Sequence, residues 1–511
     1  MGKDSKIGAA MVVGGGIGGV QASLDLAESG VRVYLVDSAP SIGGVMAKLD
    51  KTFPTNDCSM CIMAPKLVEC GRHLNIDIKT CTGIQKIEGE AGNFNVTLNV
   101  HPRYIDSEKC TGCGLCPRYC PVGAVDTYNA GLVKRRAVFI DYPQAIPLVY
   151  AIDKEKCIGC GLCQSVCRAK AVIFKDREEE VRINVGAIIL APGFAEYDPT
   201  ELGEYGYSRF KNVVTSTEFE RMMNASGPYG GHIVRPSDGD IPERVAFIQC
   251  VGSRDDRQAG DGAGKGYCSS VCCMYATKEA IVAKEHEHLI KPTIFFMDMR
   301  AHGKGFDLYY DRARKEHGIE YTRARVAEVT EDPETKNLNV RFETDEGELK
   351  TREFELVVLS IGLDRPRDSQ FLSRALGIEL NMHGFCKTEE LNPIQTSRPG
   401  IFVCGAFSGP KDIPETVAQA SAAAGGAVSL LAEARWTLTQ QKEYPEEIPL
   451  GDQPVRVGVF VCHCGINIGS VVNVPEVAEY ARTLPNVVYS EGNLYTCSAD
   501  TQEIIKERIK E

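Results

Sequence analysis

The sequence predicts an α/β fold of two β-α-β units, with a cysteine-rich insert in the first part and a small α/β segment at the end. Three observations predict this fold. A strand, a glycine-rich turn, a helix and a second strand follow one another near the N-terminus. A duplicated cysteine spacing then interrupts the chain. A second strand–loop–helix–strand pattern comes after it, so the α/β periodicity resumes beyond the insert.

Composition narrows the class of protein. The 511 residues carry 57 Lys and Arg against 69 Asp and Glu, a net charge of −12, which argues against a nucleic-acid partner. No apolar run reaches the ~18 residues of a membrane-spanning helix, and the opening residues lack the pattern of a secretion signal. Many of the 21 cysteines stand in C-x-x-C runs. They indicate metal ligation in a reducing compartment, and we expect a cytoplasmic protein.

The glycine-rich turn is typical of a dinucleotide site rather than a purely structural turn. Gly14, Gly16 and Gly19 form G-x-G-x-x-G between strand and helix, and Asp37 ends the next strand. Such glycines allow a tight turn, close approach of a pyrophosphate and close helix–strand packing, while the acid accepts a ribose hydroxyl. The predicted nucleotide contacts in this part of the chain are Gly14, Gly16, Gly18, Gly19, Asp37, Gly43 and Gly44.

The cysteine-rich insert carries the spacing of a two-cluster ferredoxin. C-x-x-C-x-x-C-x-x-x-C occurs twice, followed first by Pro121 and then by Arg168. In this arrangement the fourth cysteine of each run ligates the other cluster, whereas zinc would favour paired C-x-x-C knuckles. The spacing predicts two [4Fe–4S] clusters, one held by Cys110, Cys113, Cys116 and Cys167, the other by Cys157, Cys160, Cys163 and Cys120.

The second β-α-β unit has cysteines where a nucleotide-binding turn would stand. No G-x-G-x-x-G joins the strand 245–250 to the helix near Met274, so NAD(P) binding is predicted to be lost. Cys250, Cys268, Cys272 and Cys273 surround this connection. Cys250 ends the strand and the other three flank the helix start, and four thiols at this crevice indicate a third [4Fe–4S] cluster. Buried structural cysteines, or a redox disulfide between Cys268 and Cys272, are the alternatives.

Several motifs resemble the two-dinucleotide-domain flavoproteins that include thioredoxin reductase. They are "PSIGG", "VRINVGAIILAPGF" and "RPGIFVCGAFSGPKDIPETVAQASAAA". The resemblance implies FAD in the first unit, with Gly405 and Ala406 at the flavin, although many relatives have Gly-Asp there. It also implies these segments: flavin domain 1–102, 176–240 and 366–440, ferredoxin insert 103–175, degenerate nicotinamide domain 241–365, linker 441–454 and C-terminal segment 455–511.

A more specific resemblance is to the A-type subunits of heterodisulfide reductases. "KTFPTNDCSMCIMAPKLVECGRHLNI", "QCVGSR", "YCSSVCCMYATKEA" and "VGVFVCHCGINIG" carry it. It implies an FAD-containing, multi-cluster protein that splits or merges electron pairs between a two-electron donor, ferredoxin and a second acceptor such as a heterodisulfide. The resemblance strengthens the prediction of a third [4Fe–4S] cluster at Cys250, Cys268, Cys272 and Cys273. It also implies as partners other heterodisulfide-reductase-type subunits, ferredoxin and a hydrogenase or formate dehydrogenase module, with a homodimer inside the larger complex.

The remaining cysteines leave alternatives open. Cys58 and Cys61 form a C-x-x-C that predicts cluster ligands, a redox dithiol facing the flavin, or only a turn. Cys70, Cys81, Cys386 and Cys404 are isolated and expected in the core. The C-terminal segment resembles the N-terminal cluster domain of the same family, and its three cysteines, Cys462, Cys464 and Cys497, are one short of a four-thiolate set. We expect this segment to be truncated or completed by another chain.

Lys411 is the candidate flavin-tuning residue. It follows Gly405 in the connection that, in relatives, passes beside the flavin, and an ammonium there would favour anionic reduced states. The alternative is a solvated loop lysine paired with Asp412 or Glu415. Two other functions compete with bifurcation: an NAD(P)H-dependent oxidoreductase similar to the glutamate synthase small subunit, and a non-bifurcating relay in a quinone-linked or acyl-CoA-reducing complex.

Overall fold

The computed structural model describes residues 6–255, 257, 264–444, 446–447, 453–464, 466–469 and 471–511. Of the predicted linker 441–454, residues 445 and 448–452 lie outside this range. No helix within the described ranges is both long and apolar enough to cross a membrane.

Twelve α-helices and 27 strands are present in the described part of the chain. Up to residue 190 they are β1 Ala9–Val13, α1 Ile17–Glu28, β2 Arg32–Val36, β3 Lys51–Thr52, β4 Asp57–Cys58, α2 Ser59–Arg72, β5 Ile76–Lys79, β6 Thr82–Glu90, β7 Asn93–Val100, α3 Leu115–Tyr119, β8 Gly123–Val125, β9 Lys134–Arg136, β10 Val138–Phe139, β11 Ala151–Ile152, α4 Leu162–Val166, β12 Glu179–Val185 and β13 Ala187–Leu190.

The later elements follow in the same order. They are β14 Ala195–Glu196, β15 Val213–Thr215, α5 Ser216–Met223, β16 Arg244–Val251, α6 Cys272–His286, β17 Lys291–Phe296, α7 Phe306–Lys315, β18 Glu320–Glu331, β19 Leu338–Thr344, β20 Leu349–Phe354, β21 Leu356–Ile361, β22 Leu363–Asp364, α8 Ser369–Leu376, β23 Thr388–Glu389, β24 Asn392–Thr396, β25 Ile401–Val403, α9 Ile413–Leu430, β26 Val457–His463, α10 Ile466–Gly469, α11 Val474–Arg482, β27 Val487–Leu494 and α12 Ala499–Lys510.

The first large sheet is assembled from distant parts of the chain. Its seven strands lie in the order β23-β24-β25-β13-β1-β2-β5, and the five from β25 to β5 run parallel. β1 and β13 are buried along their whole length, as continuous apolar strands covered on both faces should be. Helices α1 and α9 pack against one another over this sheet. The first β-α-β unit is therefore completed by strands that follow the insert.

The insert is held at the end of a small antiparallel sheet. β7 pairs with β12 in a three-stranded sheet of order β12-β7-β6, and the insert lies between these two strands in the chain. It contains two short hairpins, β8–β9 and β10–β11, and the two short helices α3 and α4. Its own apolar core includes Cys120 and Cys163, which directs the predicted ligands inward.

The second large sheet forms the middle of the molecule. Its order is β15-β21-β16-β17-β18-β19-β20, and the strands from β15 to β18 run parallel. Helix α6 connects β16 to β17 and is buried over most of its length. The α/β fold class that the sequence predicts is confirmed by the two parallel sheets and their covering helices.

The C-terminal segment is a small parallel pair, β26 and β27, joined through α11. It contacts the flavin domain through a salt bridge between Arg72 Nη2, on α2, and Glu503 Oε1, on α12, at 3.0 Å. This contact lies at the C-terminal end of α2, and the hydrogen bond between Cys61 and Cys464 brings the C-terminal cysteines to the start of the same helix.

Candidate flavin and thiol sites

The glycine turn after β1 has the geometry that a bound pyrophosphate requires. Gly14 adopts φ +101°, which side chains rarely allow. A Cβ on Gly19 would lie 1.8 Å from the Gly14 carbonyl oxygen, so helix and strand meet only because residue 19 is glycine. A Cβ on Gly16 would meet only the Gly44 Cα, at 3.9 Å. These are the three roles that the motif predicts.

A cavity of about 370 Å³, which we call the central cavity, opens at this turn. Its walls are mainly apolar and glycine backbone, and helix α1 begins at its edge, which fits a dinucleotide whose phosphates lie on amide groups. Among the predicted residues, Gly14, Gly16, Gly18, Asp37, Gly44, Gly405, Ala406 and Lys411 line it. Gly19 and Gly43 lie behind the cavity wall, and a Cβ on Gly43 would lie 2.4 Å from the Tyr142 hydroxyl. The residues present fit FAD.

Asp37 is fixed by backbone groups at the edge of the central cavity. Its two carboxylate oxygens accept N–H groups from Gly15 at 2.6 Å and from Ala39 at 2.7 Å. Burial raises the pKa of this carboxyl, and the same two hydrogen bonds oppose the rise. Each oxygen retains a lone pair, so the carboxylate can still accept from the ribose hydroxyls that the sequence analysis assigned to it.

A buried ionic group on the opposite wall was not predicted. Lys278, on α6, forms a salt bridge with Glu220, on α5, and both are almost fully buried. The neighbouring Glu279 also faces the cavity, and its Oε2 has no hydrogen-bond donor among the described residues. Burial lowers the pKa of Lys278 and raises that of Glu279. No local spacing in the sequence signals this group.

Lys411 lies in the wall of the central cavity, hydrogen-bonded to its own loop. Its Nζ donates to Ser408 Oγ at 2.8 Å and to the Gly409 carbonyl at 3.2 Å. The two acids that could have paired with it, Asp412 and Glu415, instead form the capping box of α9. Burial lowers the pKa of Lys411. Its role in tuning the flavin stays a prediction.

The isolated cysteines differ from one another in position. Cys70 and Cys386 are buried, as expected of core residues, and Cys81 is only half-buried. Cys404 is buried too, but it also lines the central cavity, where burial raises its pKa to about 12. The sequence analysis expected Cys404 only in the core, whereas the structure also places it in the wall of the central cavity.

The eight insert thiols gather around two repeated loops. Gly114 precedes α3 and Gly161 precedes α4, both in the left-handed region, so the two cysteine runs have the same backbone course. Burial raises the pKa of Cys163, and the nearby Cys157, Cys160 and Cys120 thiols raise it further. Burial also raises the pKa of Cys116 to about 12, and the thiols of Cys110, Cys113 and Cys163 add to it.

The structure brings together a second set, the α6 thiol group, consisting of Cys250, Cys268, Cys272 and Cys273. Burial raises the pKa of Cys272 well above its usual range, with Cys250, Cys273 and Cys268 adding to the effect. Cys273 Sγ accepts the Arg300 backbone N–H at 3.4 Å. Cys272 Sγ lies 3.9 Å from the Ile361 carbonyl, which also accepts the Tyr275 hydroxyl at 2.6 Å.

The backbone around the α6 thiol group is strained. Cys250 and Ser270 have φ of +62° and +61°, and Arg254 has +55°, values that cost energy for residues with side chains. The crevice that would hold a nicotinamide nucleotide is reduced to about 30 Å³. Tyr197 packs directly over Gly252, where a Cβ would lie 2.2 Å from the ring.

A third set, the shared thiol group, joins residues from opposite ends of the chain: Cys58, Cys61, Cys462, Cys464 and Cys497. Cys61 is hydrogen-bonded to both Cys58 and Cys464, and the bond from Cys61 is the main reason that the pKa of Cys464 is lowered. Burial raises the pKa of Cys497 to about 11, with Cys462 and Cys61 contributing. The two segments that the sequence analysis treated separately therefore form one group.

No set of three or more His, Cys, Asp or Glu side chains among the described residues is arranged to hold a single metal ion.

Separate elements link the central cavity to the two thiol groups outside the insert and to the insert itself. Helix α6 presents Tyr275 to the cavity and begins at Cys272. Strand β3, whose Lys51 and Thr52 line the cavity, pairs with β4, which ends at Cys58. The insert contacts the loop beside the cavity through the Tyr128 hydroxyl, which donates to the Ala47 carbonyl at 2.6 Å.

A family model described as pyridine nucleotide-disulphide oxidoreductase matches residues 8–424. The chain belongs to this family. It is 52% identical over 427 residues to the second iron-sulfur A-type subunit of the CoB–CoM heterodisulfide reductase of Methanopyrus kandleri, covering 83% of this chain and 64% of that protein. It is 50% identical over 417 residues to the A-type subunit of an H(2)/formate:CoB-CoM heterodisulfide,ferredoxin reductase of Methanococcus maripaludis, covering 81% and 63%.

The resemblance to the A-type subunits of heterodisulfide reductases is thereby confirmed, and the chain spans a little under two thirds of the length of these two relatives. Among solved structures, thioredoxin reductase of T. acidophilum aligns with 82% of this chain and 97% of its own, at 16% identity and a TM-score of 0.46.

Proposed function

We propose that the chain is the flavin and iron–sulfur electron-transfer subunit of a heterodisulfide-reductase-type oxidoreductase, and that it divides electron pairs between two routes. One observation supports this most: separate elements link the central cavity to the α6 thiol group, to the shared thiol group and to the insert that carries eight further thiols. Bound FAD would accept two electrons together and pass them on singly. Elements that leave the cavity in different directions supply separate routes for those single electrons.

The cofactor load we propose is one FAD and four [4Fe–4S] clusters. The insert thiols hold two clusters in the sets that the spacing predicts, and the α6 thiol group holds the third. The shared thiol group holds the fourth, because the flavin domain supplies the thiols that the C-terminal segment lacks. Five thiols then compete for four positions. Cys61, the one exposed member, is the least shielded from solvent and is the candidate spare.

Protein groups around the central cavity would bias the flavin electrostatically. Lys278 and Lys411 approach from opposite walls, and positive charge in a desolvated site stabilises developing negative charge strongly. Burial lowers the pKa of both lysines. The Glu220 carboxylate paired with Lys278 offsets part of that lysine's charge, so Lys411, hydrogen-bonded to neutral oxygens of its own loop, is the stronger candidate for biasing the flavin.

The acceptors and partners follow from the relatives. Their names include CoB–CoM heterodisulfide, ferredoxin, hydrogen and formate. We therefore assign to this chain a low-potential ferredoxin route, a second route to a disulfide-reducing subunit, and a hydrogenase or formate dehydrogenase module as electron source. A homodimer within that complex is part of the same proposal.

Cofactor analysis tests the load. After anaerobic reconstitution of the full chain, we expect about 16 iron atoms per FAD, four for each cubane. Cys464→Ser combined with Cys497→Ser should remove about four irons, because the shared thiol group is then left with three thiols, whereas Cys61→Ser alone should not. Eight irons or fewer at full flavin occupancy would contradict both clusters outside the insert.

Two measurements separate the competing functions. NADH should not reduce the flavin, because the second unit has no glycine-rich pyrophosphate turn and its crevice measures only about 30 Å³; rapid stoichiometric bleaching would favour an NAD(P)H-dependent oxidoreductase instead. In the reconstituted complex, reduction of ferredoxin should require the second acceptor to be present. Equal ferredoxin reduction with and without that acceptor would indicate a non-bifurcating relay.

A further inference from the structure

The insert differs in charge from the rest of the chain. Residues 103–175 contain eleven Lys and Arg against six Asp and Glu, a net charge of +5, within a chain whose net charge is −12. The remaining residues therefore carry −17. Two oxidised [4Fe–4S] clusters with their thiolates would carry about −4 in total and bring the loaded insert to about +1, so a positive field at its surface comes from the exposed basic side chains rather than from the net charge.

Most of this positive charge is not neutralised by neighbours. Eight exposed basic side chains of the insert belong to no salt bridge within the described structure: Arg118, Lys134, Arg136, Lys154, Lys156, Arg168, Lys170 and Lys175. The insert's salt bridges involve Lys109 and Arg135 instead. Lys154 Nζ lies over the Tyr104 ring at 5.3 Å, which leaves its charge without an acidic partner.

Four of these side chains flank the loop that carries the second cysteine run. Lys154 and Lys156 precede it, and Arg168 and Lys170 follow it. At its tip Ile158 is 69% and Leu162 43% exposed, on either side of the exposed Cys160. We call this surface the 154–170 face. It combines an apolar centre, a basic rim and a cluster thiol that reaches solvent.

We propose that the 154–170 face is the docking surface for a small acidic iron–sulfur protein of the ferredoxin type. This inference rests on the proposed function, since it locates the ferredoxin route. Apolar contact at Ile158 and Leu162 would exclude water, and the basic rim would steer and orient an acidic partner. A [4Fe–4S] cluster held by Cys157, Cys160, Cys163 and Cys120 would supply one electron to the partner's cluster, with no bond formed or broken and no proton moved.

Charge reversal tests the proposal. The full reconstituted chain is reduced, and the second-order rate of electron transfer to an oxidised acidic [4Fe–4S] ferredoxin is measured by stopped flow across ionic strengths. Lys154→Glu with Lys156→Glu and Lys170→Glu should lower this rate by at least about tenfold at low salt. The difference should shrink at high salt, where exposed charges are screened.

The matched control is Lys211→Glu with Lys304→Glu and Arg374→Glu, three exposed basic residues outside the insert. It changes the net charge equally and should leave the rate within about twofold of wild type. Iron content and paramagnetic spectra confirm that both variants keep their clusters. Should the first variant lose iron, Ile158→Ser replaces it, and that change should slow transfer at every ionic strength because the apolar contact is lost.

The outcomes separate the docking face from the function itself. Equal rates in the two triple variants, with wild-type transfer fast, would overturn the 154–170 face and leave the proposed function intact. A wild-type chain with full clusters that transfers no electrons to ferredoxin at any ionic strength would instead contradict the ferredoxin route, and the docking face with it.

Discussion

Each of the two β-α-β units has a crevice between a parallel strand and the helix that follows it. The two crevices differ in what they can hold. In the first, β1 passes to α1 through a short glycine turn, and a cavity of about 370 Å³ opens there. In the second, β16 passes to α6 through a long connection, the α6 thiol group gathers near the start of α6, and the crevice that Cys250 lines measures about 30 Å³. Because both crevices lie between a buried parallel strand and a helix N-terminus, the residues of the connection decide what the crevice can hold.

The largest expected effect is the loss of flavin binding in the first crevice. Gly16→Val places a branched side chain in the central cavity and should abolish flavin binding, since the pyrophosphate needs backbone access. Flavin absorbance of the purified chain measures this directly. The insert is built on its own core, so its iron should remain. Gly425→Val is the control, because a Cβ there meets nothing within 4 Å; flavin loss in both would point to misfolding.

The second crevice is tested by removing one thiol. Cys273→Ser should cost about four irons per chain and keep full flavin occupancy, because the α6 thiol group would lose a ligand while the glycine turn is unchanged. Iron analysis and paramagnetic spectroscopy measure the loss. Cys386→Ser, which alters a buried cysteine outside the three thiol groups, should lose no iron. Full iron in the Cys273 variant would make those thiols structural.

A smaller effect should appear in the pH dependence of stability. Burial raises the pKa of Glu279, so above the ordinary carboxyl pKa of about 4.3 the folded chain holds a proton that the unfolded chain has released. The free energy of unfolding should therefore fall as pH rises from about 5 to 7. Glu279→Gln should flatten this slope in chemical denaturation at several pH values. An unchanged slope would show that Glu279 does not titrate in this range.

The smallest expected effect is a shift in the flavin potentials on substitution of Lys411, which lies in the wall of the first crevice. Lys411→Ala should lower at least one flavin one-electron potential by more than about 30 mV, or about 0.7 kcal/mol, because a cation in the cavity wall stabilises reduced flavin. Redox titration of the loaded chain measures the shift. Lys387→Ala, which removes an exposed lysine paired with Glu379, should leave both potentials unchanged. Potentials within that margin in both variants would exclude a tuning role.

Features set by neighbouring residues could be predicted from the sequence. The glycine turn depends on contacts between residues five apart, such as Gly14 and Gly19, and each cysteine run of the insert spans eleven residues. Both patterns therefore carry their geometry within them. The resemblance to known families extended this to the fold class and to the position of Lys411 beside the cavity.

Features made by distant residues could not be predicted in this way. Cys58 and Cys464 meet only after the C-terminal segment packs on α2, and nothing near either residue signals the other. The salt bridge between Lys278 and Glu220 depends likewise on the contact of α5 with α6. Cys404 looked like an ordinary core residue, because a strand that is buried and a strand that ends at a cavity have the same apolar pattern.

The attachment of the insert has a consequence for how such a protein can change. Val100, in β7, is the direct antiparallel partner of Glu179, in β12, so the chain leaves and returns at the same point. The whole insert is thus the loop of one hairpin. A short turn could close that hairpin, but it would also remove Tyr128, Tyr142 and Ile146, which pack in the core of the first β-α-β unit, and the hydrogen bond from Tyr128 to Ala47. Gain or loss of the insert therefore requires repacking beside the central cavity and not only a new turn.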